Sequence, residues 1–527
     1  MRCHLPSSRI LFSAFWLVLT TFATRGEAQT EMLLLLRGTD TIAVERIDKT
    51  PSRLDGELVD RIQRLRWSYS ATLANGLVTK LHNEVRRADA DPTSAALQTA
   101  VLVFTGDSVI VDINPGPGQM TQRLGTRTGA LPYINPSFAL FELIVARGLA
   151  TGKDSTSVPM FLVSGGQTVD VPVMRNGADS VVVVAGTPSR FGWHDGRLTG
   201  GTIPAQGLTI LLTEADTGAM HVPKPDYSVP AEAPYTAESV TVPTPMGHTL
   251  GGTLTLPKRR SGRVPAIVTI TGSGAQDRDE EIPFVRDYRP FRQIADTLGH
   301  KGIAVLRMDD RGFGESGGAN TAPTTDDLAD DIRAGVAYLR GRPEIDPTRI
   351  ALVGHSEGGI IAPIVAAADP TIRAIVLMAG TSRTGRTVIE YQNRYAIEHS
   401  DQIAAGARDS VLVAAMKTVD SLAAGNPWMR HFLDYDPKPT ASRVTVPVLI
   451  LQGETDRQVT ADQAEELAAA VRSGGNTKVT VHLFPEANHL FVQDPIGSPT
   501  GYPQLPDGRI RNDVIMVLVG WLSDTLK

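Results

Sequence analysis

Ile350-Ala351-Leu352-Val353-Gly354-His355-Ser356-Glu357-Gly358 decides the fold of this chain. The apolar run Ile350 to Val353 reads as a buried strand, and Glu357 to Ala368 carries a helix pattern directly after it. Ser356 then sits on a tight strand-to-helix turn, its hydroxyl lifted from the backbone above a helix N-terminus. The flanking glycines fit so sharp a turn because a side chain at either position would crowd it. The Gly-x-Ser-x-Gly pattern alone is weak in a chain with 49 glycines, and Gly314-Glu315-Ser316-Gly317-Gly318 is a second copy. Context separates the two. Asp309 to Phe313 and Ala319 to Thr325 place Ser316 in a loop with no helix following directly.

Working outward, the segment from about residue 237 alternates continuous apolar runs with helical patterns. Val264 to Ile270, Ile303 to Met308, Arg349 to Val353, Ile372 to Met378 and Val446 to Leu451 read as strands buried on both faces. Asp326 to Arg340, Glu357 to Ala368 and Ala461 to Ser473 read as helices between them, which makes βαβ units and a parallel sheet. Residues 382–442 are too long for one strand-to-helix step. They read as a helical insertion capping the C-terminal edge of the sheet.

A serine nucleophile needs an acid and a histidine at later strand ends. Asp456 follows the strand Val446 to Leu451 through Gln452-Gly453-Glu454-Thr455, with Glu454 the nearest rival. Its bland alternative is a helix cap, a role that Thr460 fits better. Among 11 histidines only His482 and His489 come late enough. His482 lies within the alternating strand Lys478 to Phe484, whereas His489 lies in the turn Pro485 to His489. The order Ser356, Asp456, His489 is that of α/β-hydrolases and not of other serine hydrolases using the same three groups. Two backbone donors must face the developing oxyanion. The Glu357 N–H supplies one, and the loop Thr271-Gly272-Ser273-Gly274 offers the other, with the Ser273 N–H the candidate and Gly274 its alternative.

These features resemble the α/β-hydrolase superfamily over roughly residues 237–527. The resemblance is to the bacterial serine carboxylesterase group with a Gly-Ser-Gly-x-x-Asp-Arg-Asp oxyanion loop, Asp-Asp-Arg-Gly-x-Gly-x-Ser and Gly-His-Ser-Glu-Gly-Gly. Here these are Gly272 to Asp279, Asp309 to Ser316 and Gly354 to Gly359. Thr271 stands where many relatives carry His, so a His side-chain bond is lost while the backbone donor stays. The resemblance implies ester hydrolysis through an acyl-enzyme on Ser356. Prolyl-oligopeptidase-type peptidase action, acyl thioester hydrolysis and an inactive hydrolase-fold binding protein are the alternatives. Asp277-Arg278-Asp279 and Asp309-Asp310-Arg311 read as ion-paired loop braces rather than a metal cluster. No metal or phosphate motif is present, and no cofactor is expected.

Residues 29–222 have short β-rich runs. Thr99 to Phe104 and Ser108 to Ile113 flank Gly106-Asp107, and Val169 to Met174 and Ser180 to Ala185 flank Asn176-Gly177. An antiparallel sandwich or barrel is expected, interrupted by a helix-like stretch from Ser52 to Asn75. No propeller-length repeat is present. Trp67, Trp193 and Tyr133 could stack on sugars, but scattered aromatics in a β-rich domain usually belong to its core. Pro223, Pro225, Pro230 and Pro234 mark a connector over residues 223–236.

Residues 1–28 read as an export signal: Arg2 and Arg9, the apolar run Ile10 to Ala23, then small residues before a cleavage after Ala28. That run is too short to span a bilayer, so a periplasmic or secreted protein without stable membrane insertion is expected. Cys3, the one cysteine, would leave with the signal, and disulfides with it. The net charge of −6 and the lack of a basic cluster exclude nucleic acid as a natural partner and leave a small-molecule ester as the expected one.

Overall fold

The computed structural model describes residues 29–527 apart from 63, 90–95, 115–119, 186, 214–216, 283–284, 319–322, 400–402 and 404. Residues 1–28, read from the sequence as an export signal, lie outside the described residues, Cys3 among them. The chain divides into two compact units between Pro223 and Lys224.

Among the described residues, every strand from Gln29 to Thr213 joins a single 15-stranded sheet. Neighbours run antiparallel, except that Leu131–Tyr133 lies parallel to Ser155–Leu162. One helix, Phe138–Ala150, is enclosed by this sheet, and its Leu140, Ile144 and Val145 share one core with Leu33 of the first strand and Ile210 of the last. The sheet curls until Thr126, just beyond one edge strand, meets Thr168 near the other, 2.7 Å between hydroxyls. The sandwich alternative, two stacked sheets, gives way to this one curled sheet. The buried Glu45 carboxylate accepts from Tyr69 and from the first helix amides, Phe138 N at 2.7 Å and Ala139 N at 3.0 Å.

The helix expected over Ser52 to Asn75 is instead two paired strands, Arg53–Asp60 and Leu65–Ala74. Leu54 and Leu58, four residues apart, satisfy either period, and the sheet supplies the partners that decide it. Gly56 fits this reading, since a Cβ there would lie 2.0 Å from the Tyr69 ring on the neighbouring strand. Trp67, Trp193 and Tyr133 pack, partly buried, against the common core.

The second unit contains, among its described residues, eight strands in one sheet. They are β1 (Tyr235–Pro243), β2 (Thr249–Pro257), β3 (Val264–Ile270), β4 (Ala304–Met308), β5 (Ile345–His355), β6 (Ala374–Met378), β7 (Val448–Gly453) and β8 (Val479–Phe484). Their spatial order is β1-β2-β4-β3-β5-β6-β7-β8, antiparallel at β1 and β2 and parallel from there on. This is the α/β-hydrolase order. Val268, Leu352, Val376 and Leu449 are all at most 1% exposed, as strands covered on both faces require.

Helices α1 (Pro290–His300), α2 (Thr325–Arg340) and α3 (Gly358–Ala368) alternate with these strands. Between β6 and β7 come α4 (Gly385–Glu398), α5 (Arg408–Gly425), α6 (Pro427–Asp434) and α7 (Lys438–Ala441), a helical cap in the place expected for the 382–442 insertion. Helices α8 (Asp462–Ser473) and α9 (Asn512–Thr525) complete the unit. The Pro-rich connector packs on it: Tyr227 donates to Asp277 at 3.1 Å and lies under the Arg278 guanidinium at 4.2 Å.

Candidate active site

Strand β5 ends in register with Met378 of β6, and the Ser356 N–H continues the ladder to the Met378 carbonyl at 2.8 Å. The chain then reverses into α3 with Ser356 at φ +52°, a left-handed conformation costly for a non-glycine residue. Two glycines make the reversal feasible. A Cβ on Gly354 would come within 2.0 Å of the Gly358 carbonyl oxygen, and one on Gly358 within 2.3 Å of the Ile270 carbonyl oxygen. Ser316, the decoy, is consumed structurally: its hydroxyl donates to the Asp309 carbonyl at 2.7 Å and accepts from Gly251 N at 3.0 Å.

Asp456 turns out of the end of β7 and is 1% exposed. Its Oδ1 accepts from Gln458 N at 2.7 Å and Val459 N at 2.9 Å, while its Oδ2 accepts from Gln452 Nε2 at 2.8 Å and faces His489 Nδ1 at 2.8 Å. The carboxylate is thereby aimed at the imidazole, which fixes the ring's tautomer and orientation. The rival Glu454 and His482 are both exposed. His489 is 5% exposed, in a turn held by Asn488, whose Oδ1 accepts from Leu490 N and Val492 N.

Ser356, His489, Ser273 and Glu357 line one cavity of about 360 Å³. The oxyanion loop presses against the serine, since a Cβ on Gly272 would lie 3.2 Å from Ser356 Cβ. Glu357 occupies the N-cap of α3, where an amide has no acceptor within its own helix. Glu357 and Ser273 both line the cavity that holds Ser356. The cap also lines this cavity, through Val388, Ile389, Trp428 and Phe432.

The braces around the oxyanion loop are charge pairs. Arg278, 1% exposed, grips Asp309 with Nε at 3.0 Å and a terminal nitrogen at 2.7 Å, and reaches Glu315 at 2.7 Å. Arg307 pairs with Asp279, both side chains fully buried. Thr271 donates to Asp310 at 2.7 Å, so the residue standing in place of His keeps a side-chain tie to the next strand end. Burial raises Asp277 to about 6 and lifts Asp310 well above the usual carboxylate range.

Three side chains in this site carried no assignment from the sequence. Glu357 is 2% exposed, and its Oε1 accepts from Thr325 at 2.8 Å and from Trp428 Nε1 of the cap at 3.0 Å. Burial raises its carboxyl, with hydrogen bonds from Trp428, Thr325 and Ser273 opposing. Glu280 and His355 form a buried pair at 2.8 Å directly behind the oxyanion loop. His355 lies inside one quoted motif and Glu280 directly follows another, so their presence was visible while their partners, distant in sequence, were not.

Residues 284–496 match the family model described as serine aminopeptidase, S33 (Hydrolase_4). The chain is 29% identical over 306 residues to Esterase EstD of Thermotoga maritima, covering 56% of this chain and 69% of that protein. It is 27% identical over 280 residues to the uncharacterized protein Rv2307c of Mycobacterium tuberculosis, covering 52% and 76% respectively. Among solved structures, the Pyrococcus furiosus esterase Pf2001 superposes with a TM-score of 0.40 at 17% identity, over 58% of this chain and 97% of that one.

Proposed function

We propose that this α/β-hydrolase is a serine carboxylesterase acting through an acyl-enzyme on Ser356. The observation that carries the reading is the Asp456–His489 bond at 2.8 Å, on the same cavity as a serine held at φ +52° on the strand-to-helix turn. In this reading Ser356 Oγ attacks the ester carbonyl carbon while His489 Nε2 takes the hydroxyl proton. Asp456 holds Nδ1–H and stabilises the imidazolium. The tetrahedral oxyanion is met by the Glu357 and Ser273 amides, each such donor contributing about 3 kcal/mol. Collapse breaks the C–O bond to the alcohol, which leaves with the proton from His489. Water then adds to the acyl-enzyme by the same path and releases the acid and free Ser356.

Similarity to Esterase EstD supports an ester as the substrate. The walls contributed by Val388, Ile389, Trp428 and Phe432 suit an apolar acyl or alcohol group. The description of the matching family model favours a second reading, release of N-terminal residues from peptides. The test is a series of esters of increasing acyl length run beside aminoacyl anilides and thioesters. The expected result is ester turnover well above the other two; anilide turnover far above that of short esters would overturn the esterase assignment. Export by residues 1–28 is proposed from sequence alone, and is tested by N-terminal sequencing of the protein recovered outside the cytoplasm, with Gln29 expected first.

A further inference from the structure

We infer that Glu280 and His355 form a positioning pair that holds the oxyanion loop, the nucleophile turn and the His489 loop in mutual register, an inference resting on the acyl-transfer reading above. Glu280 Oε1 accepts from Gly272 N at 2.8 Å and meets His355 Nδ1 at 2.8 Å. On its other side, His355 Nε2 lies 2.9 Å from the His489 carbonyl oxygen. These three segments are far apart in sequence. Each contact nevertheless falls on a reacting group or next to one: Gly272 precedes Ser273, His355 precedes Ser356, and the carbonyl belongs to His489.

The protonation state follows from the partners. A carbonyl only accepts, so Nε2 carries a proton. Nδ1 faces a Glu280 oxygen that already accepts an amide; beside an ionised Glu280, Nδ1 donates as well and the ring is an imidazolium. Burial works against that charge, but the Glu280 carboxylate, its hydrogen bond, the His489 carbonyl and the Asp456 charge outweigh it and raise His355. The groups facing the ring are Glu280 from the oxyanion loop, Asp456 after β7, and the His489 ring at 5.0 Å between centroids. Glu280 is 1% exposed and His355 4%. Neither charge is tolerable in that position without the other. Glu280 also holds φ +56°, in a tight turn closed by its own N–H to the Asp277 carbonyl at 2.9 Å. A buried ion pair adds little stability over apolar residues of the same size, so its value here lies in orientation.

A pH signature distinguishes this role from simple packing. His355 is raised, so its charge is present below the raised value and is lost as pH rises through it. The kcat/KM profile therefore has an alkaline limb that belongs to His355. Glu280→Gln removes the charge that keeps His355 protonated. It moves the alkaline limb to lower pH and lowers kcat at pH 8 by roughly 10- to 100-fold, the cost of a small misplacement of reacting groups, with KM changing less than about threefold. Glu280→Asp restores part of the limb, and His355→Gln abolishes it.

Nitrogen-15 spectra of histidine-labelled protein at pH 7.5, with His355 assigned from the His355→Gln variant, test the state directly, including in a Ser356→Ala background where no turnover is needed. Both ring nitrogens of His355 are expected to be protonated. A neutral His355 ring, or a folded Glu280→Gln enzyme with an unchanged alkaline limb and kcat/KM within about twofold of wild type, would overturn the inference. Should Glu280→Gln not fold, the wild-type spectrum still decides. An inactive Ser356→Ala beside an unchanged Glu280→Gln would refute the positioning pair alone; an active Ser356→Ala would refute the reaction itself.

Discussion

At the scale of single residues, the site is a set of side chains each fixed by more than one neighbour. Asp456 has all its acceptor capacity engaged by Gln452, Gln458, Val459 and His489. Asp456→Asn keeps the shape but presents an amide to Nδ1 and favours the wrong imidazole tautomer. We expect kcat for a short ester to fall about 10⁴-fold with little change in KM, measured by steady-state kinetics. Strand ends and chain order single out Ser356, Asp456 and His489, and Asp456 and His489 meet at 2.8 Å. Glu280 and His355 were not assigned, since their meaning lies in contacts among Gly272, Ser356 and His489 that only the assembled sheet creates. Glu357 was legible through its backbone alone; its carboxyl became informative once Trp428 of the cap was seen to reach it at 3.0 Å.

At the scale of elements, the loop after β3 and the strand end of β4 are one charged lattice. Arg278 is buried against Asp309, and removing it leaves that carboxylate in the interior without its cation. Arg278→Ala is expected to destabilise the protein by about 3–5 kcal/mol in denaturant unfolding, more than a surface ion pair could account for. The cap contributes to the lining of the cavity. Phe432→Ala in α6 widens it, and the ratio of kcat/KM for long over short acyl esters is expected to rise about tenfold, within the range that a few methylenes in an apolar pocket command. The insertion 382–442 was readable from length and helical pattern between two apolar strands. The strands at Arg53–Asp60 and Leu65–Ala74 were misread as a helix because Leu54 and Leu58 fit both periods, and neighbouring strands rather than local sequence settled the choice.

For the molecule as a whole, two units of different construction share one chain: among the described residues, a single curled 15-stranded sheet around a helix, and an eight-stranded sheet with helices. The parallel sheet was legible in its continuous apolar runs, whereas the curl of the first unit depends on how Leu33, Leu140 and Ile210 meet, which no local pattern encodes. All the chemistry proposed here belongs to the second unit and converges on one hydroxyl. The most direct test is turnover of a short-chain ester by wild type and by Ser356→Ala, with folding checked by thermal unfolding. A loss of kcat on the order of 10⁴-fold or more in a folded variant is predicted; near-normal esterase activity without the Ser356 hydroxyl would contradict the account.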